Sequence, residues 1–304
     1  MQISRNLKEY LLNFKNMRVL VTGGSSGIGK ALAETLVKRN ARVAICGRHF
    51  DSLEKVREKN PDIQVYRADV TIKDEIVSLK TQLDQDINGI DILINNAGRM
   101  VQFDIQKGIP ESAKNEIELN FTAVLNLIDL FLPDLLVRKK SAIVNVSSGY
   151  ALSPAKSAPV YCATKAALHS FTKSLRWQLE DTSVKVFEIL PPAVQTPGVT
   201  VKGGMDPLEF SAEVIRQIEQ EKSEVKIGQV RLLAVARHIA PWAVDMILKR
   251  RYTNHENIQD KNHQNAASLY NTRSADHGKI CYGLAGSVSL CTTITATMLR
   301  HSCL

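Results

Sequence analysis

A short apolar segment, a glycine-rich turn and a helical segment follow one another near the start of this chain. Arg18–Val21 (RVLV) has the branched apolar run typical of a buried strand, and Thr22–Gly29 (TGGSSGIG) follows it directly. Lys30–Lys38 (KALAETLVK) then places apolar residues at helical spacing. This order predicts a parallel α/β sheet with an anion-binding turn, because the unpaired N–H groups at a helix start attract phosphate.

Each glycine of the turn has a separate expected task. Gly23 permits the tight turn, Gly27 lets the backbone approach a pyrophosphate, and Gly29 lets the helix pack closely on the strand. The alternative is a plain flexible loop. The regular strand and helix on either side favour the dinucleotide site.

Apolar segments alternate with helical patterns along the rest of the chain. Further strands are predicted at Arg42–Cys46, Ile63–Arg67, Ile90–Ile94, Ala142–Val146 and Lys185–Leu190. Continuous apolar strands separated by helices predict the α/β class: a single Rossmann-type, doubly wound parallel sheet flanked by helices. A ligand is then expected at the carboxyl ends of the strands, where the turn glycines and several polar residues fall.

A tyrosine and a lysine four residues apart lie in a predicted helix, at Tyr161 and Lys165. This spacing places them one turn apart on the same face. A phenol has an ordinary pKa of about 10, and a nearby ammonium favours the phenolate. We therefore expect Lys165 to lower the pKa of Tyr161 into the range useful for proton transfer. The alternative is a solvated helix face.

Taken together, these motifs resemble the short-chain dehydrogenase/reductase family over roughly residues 17 to 230. The turn has the family's G-x-x-x-G-x-G spacing, and Asn95–Gly98 resembles its N-N-A-G turn. Ser148 lies thirteen residues before Tyr161, the family's usual spacing, and is preferred to Ser147. Three stretches also look like the DltE-type oxidoreductases of that family, whose name fixes no substrate: NEIELN at 115–120, YCATKAALHSF at 161–171 and PPA at 191–193.

The resemblance implies an NAD(P)-dependent enzyme that interconverts a carbonyl and a secondary alcohol by hydride transfer. It implies that Tyr161 is the acid/base, that Ser148 donates a hydrogen bond to the reacting oxygen, and that Lys165 lowers the tyrosine pKa and bonds the nicotinamide ribose. Asn120 is implied to hold, through its backbone, a water that links Lys165 to solvent. The implied cofactor-binding residues are Thr22, Gly23, Ser25, Ser26, Gly27, Ile28, Gly29, Arg48, Asp69, Val70, Asn95, Ala97, Gly98, Tyr161, Lys165, Val194 and Thr196.

Cofactor choice depends on the residue that follows the second strand. An acid at this position would bind the adenosine ribose hydroxyls and repel a 2′-phosphate. The chain instead has Cys46-Gly47-Arg48, and an arginine fork suits a phosphate. We expect NADP(H) to be preferred, with NAD(H) as the alternative. The alternative for Arg48 is a solvated surface arginine with no role in binding.

Charge and cysteine usage exclude several classes of function. The net charge is +8, but the chain has no basic run with interleaved aromatic residues, so nucleic-acid binding is not predicted. The five cysteines and seven histidines show no metal-ligand or disulfide spacing, so we expect no metal and a reducing, cytoplasmic compartment. Cys162 is expected to be a packed thiol. No secretory signal or membrane-length apolar run is apparent.

We divide the chain into an N-terminal extension (1–16), one catalytic domain (17–251) and a disordered or non-native tail (252–304). Residues 225–230 are the candidate seventh strand, and the segment 197–210 is the expected mobile substrate lid. Residues 231–251 predict an apolar helix pair that packs on the core or a partner subunit in a homo-oligomer, with a membrane surface as the lesser alternative. The alternative functions are a dinucleotide-binding sensor or an envelope-associated module, in either case without turnover.

Overall fold

The computed structural model describes residues 12–196, 204–246 and 249. Its centre is a seven-stranded parallel sheet with the order β3-β2-β1-β4-β5-β6-β7. The strands are β1 (Arg18–Thr22), β2 (Arg42–Gly47), β3 (Ile63–Arg67), β4 (Ile92–Asn95), β5 (Ser141–Val146), β6 (Val184–Leu190) and β7 (Glu224–Lys226). The predicted fold class, a doubly wound sheet, is confirmed.

The α-helices connect the strands and cover both faces of the sheet. They are α1 (Gly27–Lys38), α2 (Phe50–Lys59), α3 (Lys73–Ile87), α4 (Glu111–Ile117), α5 (Ala123–Val137), α6 (Pro159–Gln178), α7 (Pro207–Glu219) and α8 (Gln229–Ile239). A π-helical turn, Glu118–Thr122, joins α4 to α5, and two short 3₁₀ turns lie at Ile105–Lys107 and Gly149–Ala151.

Two hydrophobic cores lie on opposite faces of the sheet. Within β1, Val19 and Val21 belong to the first core and Leu20 to the second. The first core is closed by α1, α2 and α7, and the second by α3, α5 and α6. Because such strands are buried on both sides, their sequences are continuously apolar rather than alternating, which explains why the sequence pattern located them.

The topology fixes where a ligand can bind. From β1 the chain runs outward to β2 and β3, then returns to pair β4 with the other side of β1. The connections after β1 and β4 therefore diverge, and a crevice opens at the carboxyl ends of these two strands. The glycine turn and Asn95–Gly98 both lie at that crevice.

The described part of the N-terminal stretch belongs to the domain. Phe14 is fully buried and Leu12 nearly so, both in the first core. The Leu12 N–H also donates to Glu221 Oε1 at 2.7 Å. The prediction that residues up to 16 form an extension is thus corrected for residues 12–16, whose two apolar side chains cover the sheet. The tail from 252 onward lies outside the described residues.

The end of the domain also differs from the prediction. β7 is only Glu224–Lys226, because Gly228 takes a positive φ of 57° and α8 begins at the next residue. The expected lid is helical at its C-terminal end, where Pro207 starts α7 and Phe210 is fully buried. The rest of that segment, residues 197–203, lies outside the described residues.

The segment after β7 covers the core only in part. Val230 and Val244 are buried, but Leu232, Ile239 and Trp242 are each more than 70% exposed. A separate stretch, Glu111–Val137, is long and apolar enough to cross a membrane by length and composition alone. Its inward side chains, such as Leu127 and Phe131, lie in the second core, as in a core helix of a globular domain.

Candidate active site

The glycine turn is tied to the end of β2. The N–H groups of Gly23 and Gly24 both donate to the carbonyl of Cys46, at 2.9 and 3.2 Å. Gly23 and Gly27 have positive φ values of 66° and 55°, a region that side chains with a Cβ rarely adopt. The chain therefore turns sharply from β1 into α1 and leaves the helix start at the crevice.

The turn is packed so closely that side chains are excluded. A Cβ on Gly29 would lie 2.3 Å from Asn96 Nδ2 and 2.4 Å from the Gly23 carbonyl oxygen. A Cβ on Gly23 would lie 2.9 Å from Ala97 Cα. These contacts agree with the close packing expected at Gly29. They also show that this turn and the Asn95–Gly98 turn form one unit.

Asn96, which sequence analysis did not single out, joins the two turns. Its side-chain N–H group donates to the carbonyls of Thr22 and Gly23, at 2.9 and 3.2 Å. Thr22 Oγ1 in turn accepts from the N–H groups of Asn96 and Ala97, each at 3.0 Å. Thr22 thus holds the second turn against the end of β1. The signal for Asn96 in the sequence was its place as the second asparagine of the N-N-A-G turn.

The start of α1 suits an anion. Ser26 is the N-cap, but its side chain makes no capping hydrogen bond, and the first turn contains no acidic residue. The first N–H groups of the helix therefore lack a side-chain acceptor, and the positive end of the helix dipole faces the crevice. Ser25 and Ile28, also predicted to bind cofactor, flank this position in the sequence.

Two further predicted residues follow the outer strands. Arg48 is exposed directly after β2. Asp69 and Val70 follow β3, and the carboxylate of Asp69 accepts from both the N–H and the hydroxyl of Thr71. Both positions are at the carboxyl ends of the outer strands β2 and β3, on the side of β1 where an adenosine half would lie in this class of sheet.

Tyr161 and Lys165 lie on α6 and face the carboxyl end of β5. Lys165 Nζ is 5.8 Å from the centroid of the Tyr161 ring and donates to the Val146 carbonyl at 2.8 Å. The Tyr161 hydroxyl is hydrogen-bonded to the Ser148 side chain. Ser147 is directed elsewhere, since its hydroxyl donates to the backbone carbonyl of Lys165 at 3.2 Å. The structure therefore brings Ser148, Tyr161 and Lys165 together.

Asn120 is fully buried within the π-helical turn. Its side-chain Oδ1 accepts from the Arg99 N–H at 3.0 Å, and its Nδ2 donates to the Arg99 carbonyl and to Thr164 Oγ1. π-Turns interrupt the normal helical hydrogen bonding and are frequent at functional sites. The Asn120 side chain thus fixes the loop after the N-N-A-G turn to α6.

Gly98 connects the crevice to the Tyr161 cluster. A Cβ there would lie 3.1 Å from Asn120 Oδ1 and 3.5 Å from Lys165 Nζ. Asn95, three residues earlier, is buried in the sheet and donates to Asn145 Oδ1 at 2.8 Å. Asn95 therefore supports the sheet end from within.

The two remaining predicted cofactor residues follow β6. Val194 pairs with Met205 in an isolated parallel bridge and is buried. Thr196 lies against the glycine turn, because a Cβ on Gly27 would be 3.0 Å from Thr196 Cγ2. The segment after β6 thus closes over the start of α1.

The pKa of Tyr161 is shifted in the direction opposite to the one expected from the sequence. Burial raises the pKa of Tyr161 to about 12, against the opposing hydrogen bond from Ser148. Burial also lowers the pKa of Lys165 to about 8, opposed by the charges of Glu188 and Glu116. The expectation that Lys165 sets a low tyrosine pKa is therefore wrong for the free protein, because desolvation of the phenolate outweighs the other effects.

Three titratable residues near Lys165 were missed. Glu116 on α4 is fully buried, and its Oε1 accepts from the Val101 N–H. Glu188 on β6 is also fully buried and is hydrogen-bonded to His169 of α6 at 2.7 Å. An acid within the apolar run VFEIL was the visible signal for Glu188. Cys162 is a packed thiol as expected, with burial raising its pKa.

Comparison with known proteins identifies the class. The family model for short chain dehydrogenase matches residues 17–204. The chain therefore belongs to the short-chain dehydrogenase/reductase family. It is an oxidoreductase that acts on CH–OH donors, uses a nicotinamide dinucleotide and takes a small-molecule substrate.

Individual relatives agree with this assignment. The chain is 43% identical over 233 residues to the uncharacterized oxidoreductase DltE of Bacillus subtilis. This match covers 72% of the chain and 92% of the relative. It is 32% identical to an uncharacterized oxidoreductase of Staphylococcus saprophyticus, covering 74% and 100%. A short chain dehydrogenase from Burkholderia cenocepacia, solved in complex with NADP, is 26% identical, with a TM-score of 0.70 over 78% of this chain and 99% of that one. The expected resemblance to DltE-type oxidoreductases is confirmed.

Proposed function

We propose that this protein interconverts a carbonyl and a secondary alcohol with NADP(H), using Tyr161 as the acid/base. The observation that carries the proposal is one cluster: the Tyr161 hydroxyl is bonded to Ser148 beside the buried Lys165. This cluster lies at the same carboxyl strand ends as the glycine turn and the start of α1. A proton donor beside a dinucleotide crevice is the arrangement that carbonyl reduction requires.

The residues of the crevice fit a dinucleotide. The start of α1, which lacks a side-chain cap, and the Cβ-free turn at Gly23 and Gly27 would hold the pyrophosphate. Asp69 and Val70 would meet the adenine, and Val194 and Thr196 the nicotinamide amide. When bound, the nicotinamide supplies or accepts the hydride.

The protein's own residues manage the proton. In reduction, Tyr161 donates its proton to the substrate oxygen, and Ser148 donates a hydrogen bond to that oxygen. Lys165 provides the positive charge that stabilises the phenolate left behind. Asn120 keeps Lys165 in contact with solvent through a water held by the backbone of the π-turn, which renews the proton.

The preference for NADP(H) over NAD(H) is proposed from Arg48. The residue after β2 is an exposed arginine, and no acid stands there to repel a 2′-phosphate. A guanidinium can form two charge-assisted hydrogen bonds to a phosphate. A measured preference for NAD(H) would contradict this part of the proposal without affecting the reaction type.

The test is nicotinamide absorbance with a panel of ketones, aldehydes and alcohols. Tyr161→Phe should lower kcat by about 10²–10⁴-fold, because it removes the proton donor, while NADPH binding is retained. Ser148→Ala should also lower kcat. Ser147→Ala is the matched control, since Ser147 is the neighbouring buried serine and its hydroxyl donates to a backbone carbonyl.

The same experiment separates a dinucleotide sensor from an enzyme. A wild-type protein that binds NADPH, reduces nothing and behaves like Tyr161→Phe would overturn catalysis in favour of sensing. Loss of activity in Ser147→Ala with full activity in Ser148→Ala would overturn the assignment of the serine.

The partners and compartment are part of the proposal. We place the protein in the cytoplasm, where the free thiols of Cys46 and Cys162 stay reduced. We propose a homo-oligomer in which a second copy covers the exposed side chains of Leu232, Ile239 and Trp242. We propose no nucleic-acid partner, because the sequence has no basic run with interleaved aromatic residues.

A further inference from the structure

A fully buried carboxylate lies on β6, the strand next to the β7 edge of the sheet. Glu188 is 0% exposed on β6, where it pairs in register with Asn145 of β5 and Glu224 of β7. One oxygen, Oε2, is 2.7 Å from His169 Nδ1, and the other, Oε1, has no hydrogen-bond partner among the described residues. A charge buried in this way destabilises a fold unless another charge compensates it.

The compensating charge is on α6. His169 lies four residues after Lys165, so both side chains are on the same helix face, which packs on β5 and β6. Lys165 Nζ is held at the Val146 carbonyl, and Val146 pairs with Ile189, the neighbour of Glu188. The carboxylate bound by His169 and the Lys165 ammonium thus lie between α6 and the same two strands, β5 and β6, without a direct ion pair between them.

We propose that Glu188, held by His169, is a positioning residue: it is the buried counter-charge that keeps Lys165 protonated behind Tyr161. The inference rests on the proposed function for the use of Lys165, but it concerns a charge state of the free protein. Glu188 does not touch the substrate site, and it acts through Lys165.

The electrostatics agree with this geometry. Burial lowers the pKa of Lys165 to about 8, and Glu188 is the first of the charges that oppose the fall, with Glu116 of α4 the second. Tyr161, on the same helix, is a further titratable group beside Lys165, with its ring centroid 5.8 Å from Nζ. Without Glu188, one of the charges that oppose this fall would be removed, and the pKa of Lys165 would fall further.

His169 gives the pair a pH dependence of its own. The hydrogen bond to Glu188 raises the pKa of His169, with the charge of Glu224 adding to this and Lys226 opposing it. When His169 is protonated, its charge cancels much of the field of Glu188 at Lys165. Removing the imidazole should therefore leave Lys165 at least as well protonated as in the wild type, whereas removing the carboxylate charge should not.

The experiment is a pH titration of the full chain labelled with ¹³C-lysine, followed by NMR at the lysine Cε. Lys165→Arg assigns the Lys165 signal. We expect a wild-type midpoint near pH 8, a downward shift of about one unit or more in Glu188→Gln, and no downward shift in His169→Gln. A purely structural role for the pair would shift both variants alike.

Three results would overturn the inference: an unchanged midpoint in Glu188→Gln, an equal fall in His169→Gln, or a wild-type midpoint below pH 7. The wild-type midpoint is measured without any variant, so the inference can still be tested if the Glu188→Gln protein fails to fold. Because the titration uses no substrate, it is independent of turnover. Where turnover is found, the high-pH limb of kcat should move with the NMR midpoint.

Discussion

Replacing Gly29 with alanine tests the close packing of the two turns. The added Cβ would lie 2.3 Å from Asn96 Nδ2 and 2.4 Å from the Gly23 carbonyl oxygen, both well inside contact distance. Neither neighbour moves freely. The Gly23 oxygen belongs to the backbone of the tight turn, and the Asn96 side chain is held by hydrogen bonds to Thr22 and Gly23. The turn must therefore open.

The cost follows from these contacts. Overpacking costs about 1–3 kcal/mol, and the loss of an Asn96 hydrogen bond adds about 1 kcal/mol. Gly29 is in the first turn of α1, where alanine gains up to about 1 kcal/mol in helix preference. We expect a net loss of about 2 kcal/mol in the free energy of unfolding. For a domain of this size, that corresponds to a fall in Tm of about 4–8 °C.

Thermal unfolding by circular dichroism measures the loss, and NADPH fluorescence measures the expected fall in affinity. Gly47→Ala is the control for stability, because its Cβ would meet nothing closer than Leu53 Cδ2 at 3.6 Å. We expect its free energy of unfolding to change by less than about 0.5 kcal/mol. If the two variants unfolded at the same temperature, the packing argument would be refuted.

Three other changes test separate parts of the molecule. Arg48→Asp should weaken NADPH binding by about 10–100-fold while sparing NADH, as measured by fluorescence titration of both. Asp91→Asn should destabilise the fold by about 1–3 kcal/mol at pH 7, because Asp91 accepts hydrogen bonds from the Arg18 side chain and N–H. Burial opposes ionisation, but Arg18 holds the pKa of Asp91 below its ordinary value. The stability that Asp91 contributes is therefore present above about pH 4 and lost as the pH falls through its lowered pKa. In that acidic range, urea titrations of the wild type and of Asp91→Asn should give converging free energies of unfolding. Trp242→Asp should shift the mass by light scattering toward monomer; an unchanged mass would exclude that face as the interface.

The sequence was informative where local pattern determines structure. The strand around Val19–Val21 is buried on both faces, so its apolar run needs no tertiary information to be identified. The glycine turn is determined by sterics within a few residues, since positive φ values at Gly23 and Gly27 follow from the tight path. Such features could be predicted because few alternatives satisfy them.

The missed features depend on residues far apart in sequence. Phe14 was assigned to an extension because the stretch up to residue 16 is mostly polar and charged, and only the packed sheet shows its burial. Glu188 was visible as an acid in an apolar run, but its partner His169 is known only once α6 lies on β6. The early end of β7 follows from Gly228, whose positive φ the local sequence does not require.

The pKa of Tyr161 shows most clearly why spacing alone was insufficient. The spacing of a lysine four residues away takes account of the charge but not of the desolvation of the phenolate, which acts in the opposite direction. In the folded protein, burial dominates and raises the pKa to about 12, so Tyr161 holds its proton in the free state. The same burial lowers the local dielectric, which strengthens the effect of every nearby charge. A partly buried phenol beside Ser148 and Lys165 therefore releases its proton when negative charge develops on a bound oxygen, and water alone does not draw the proton away.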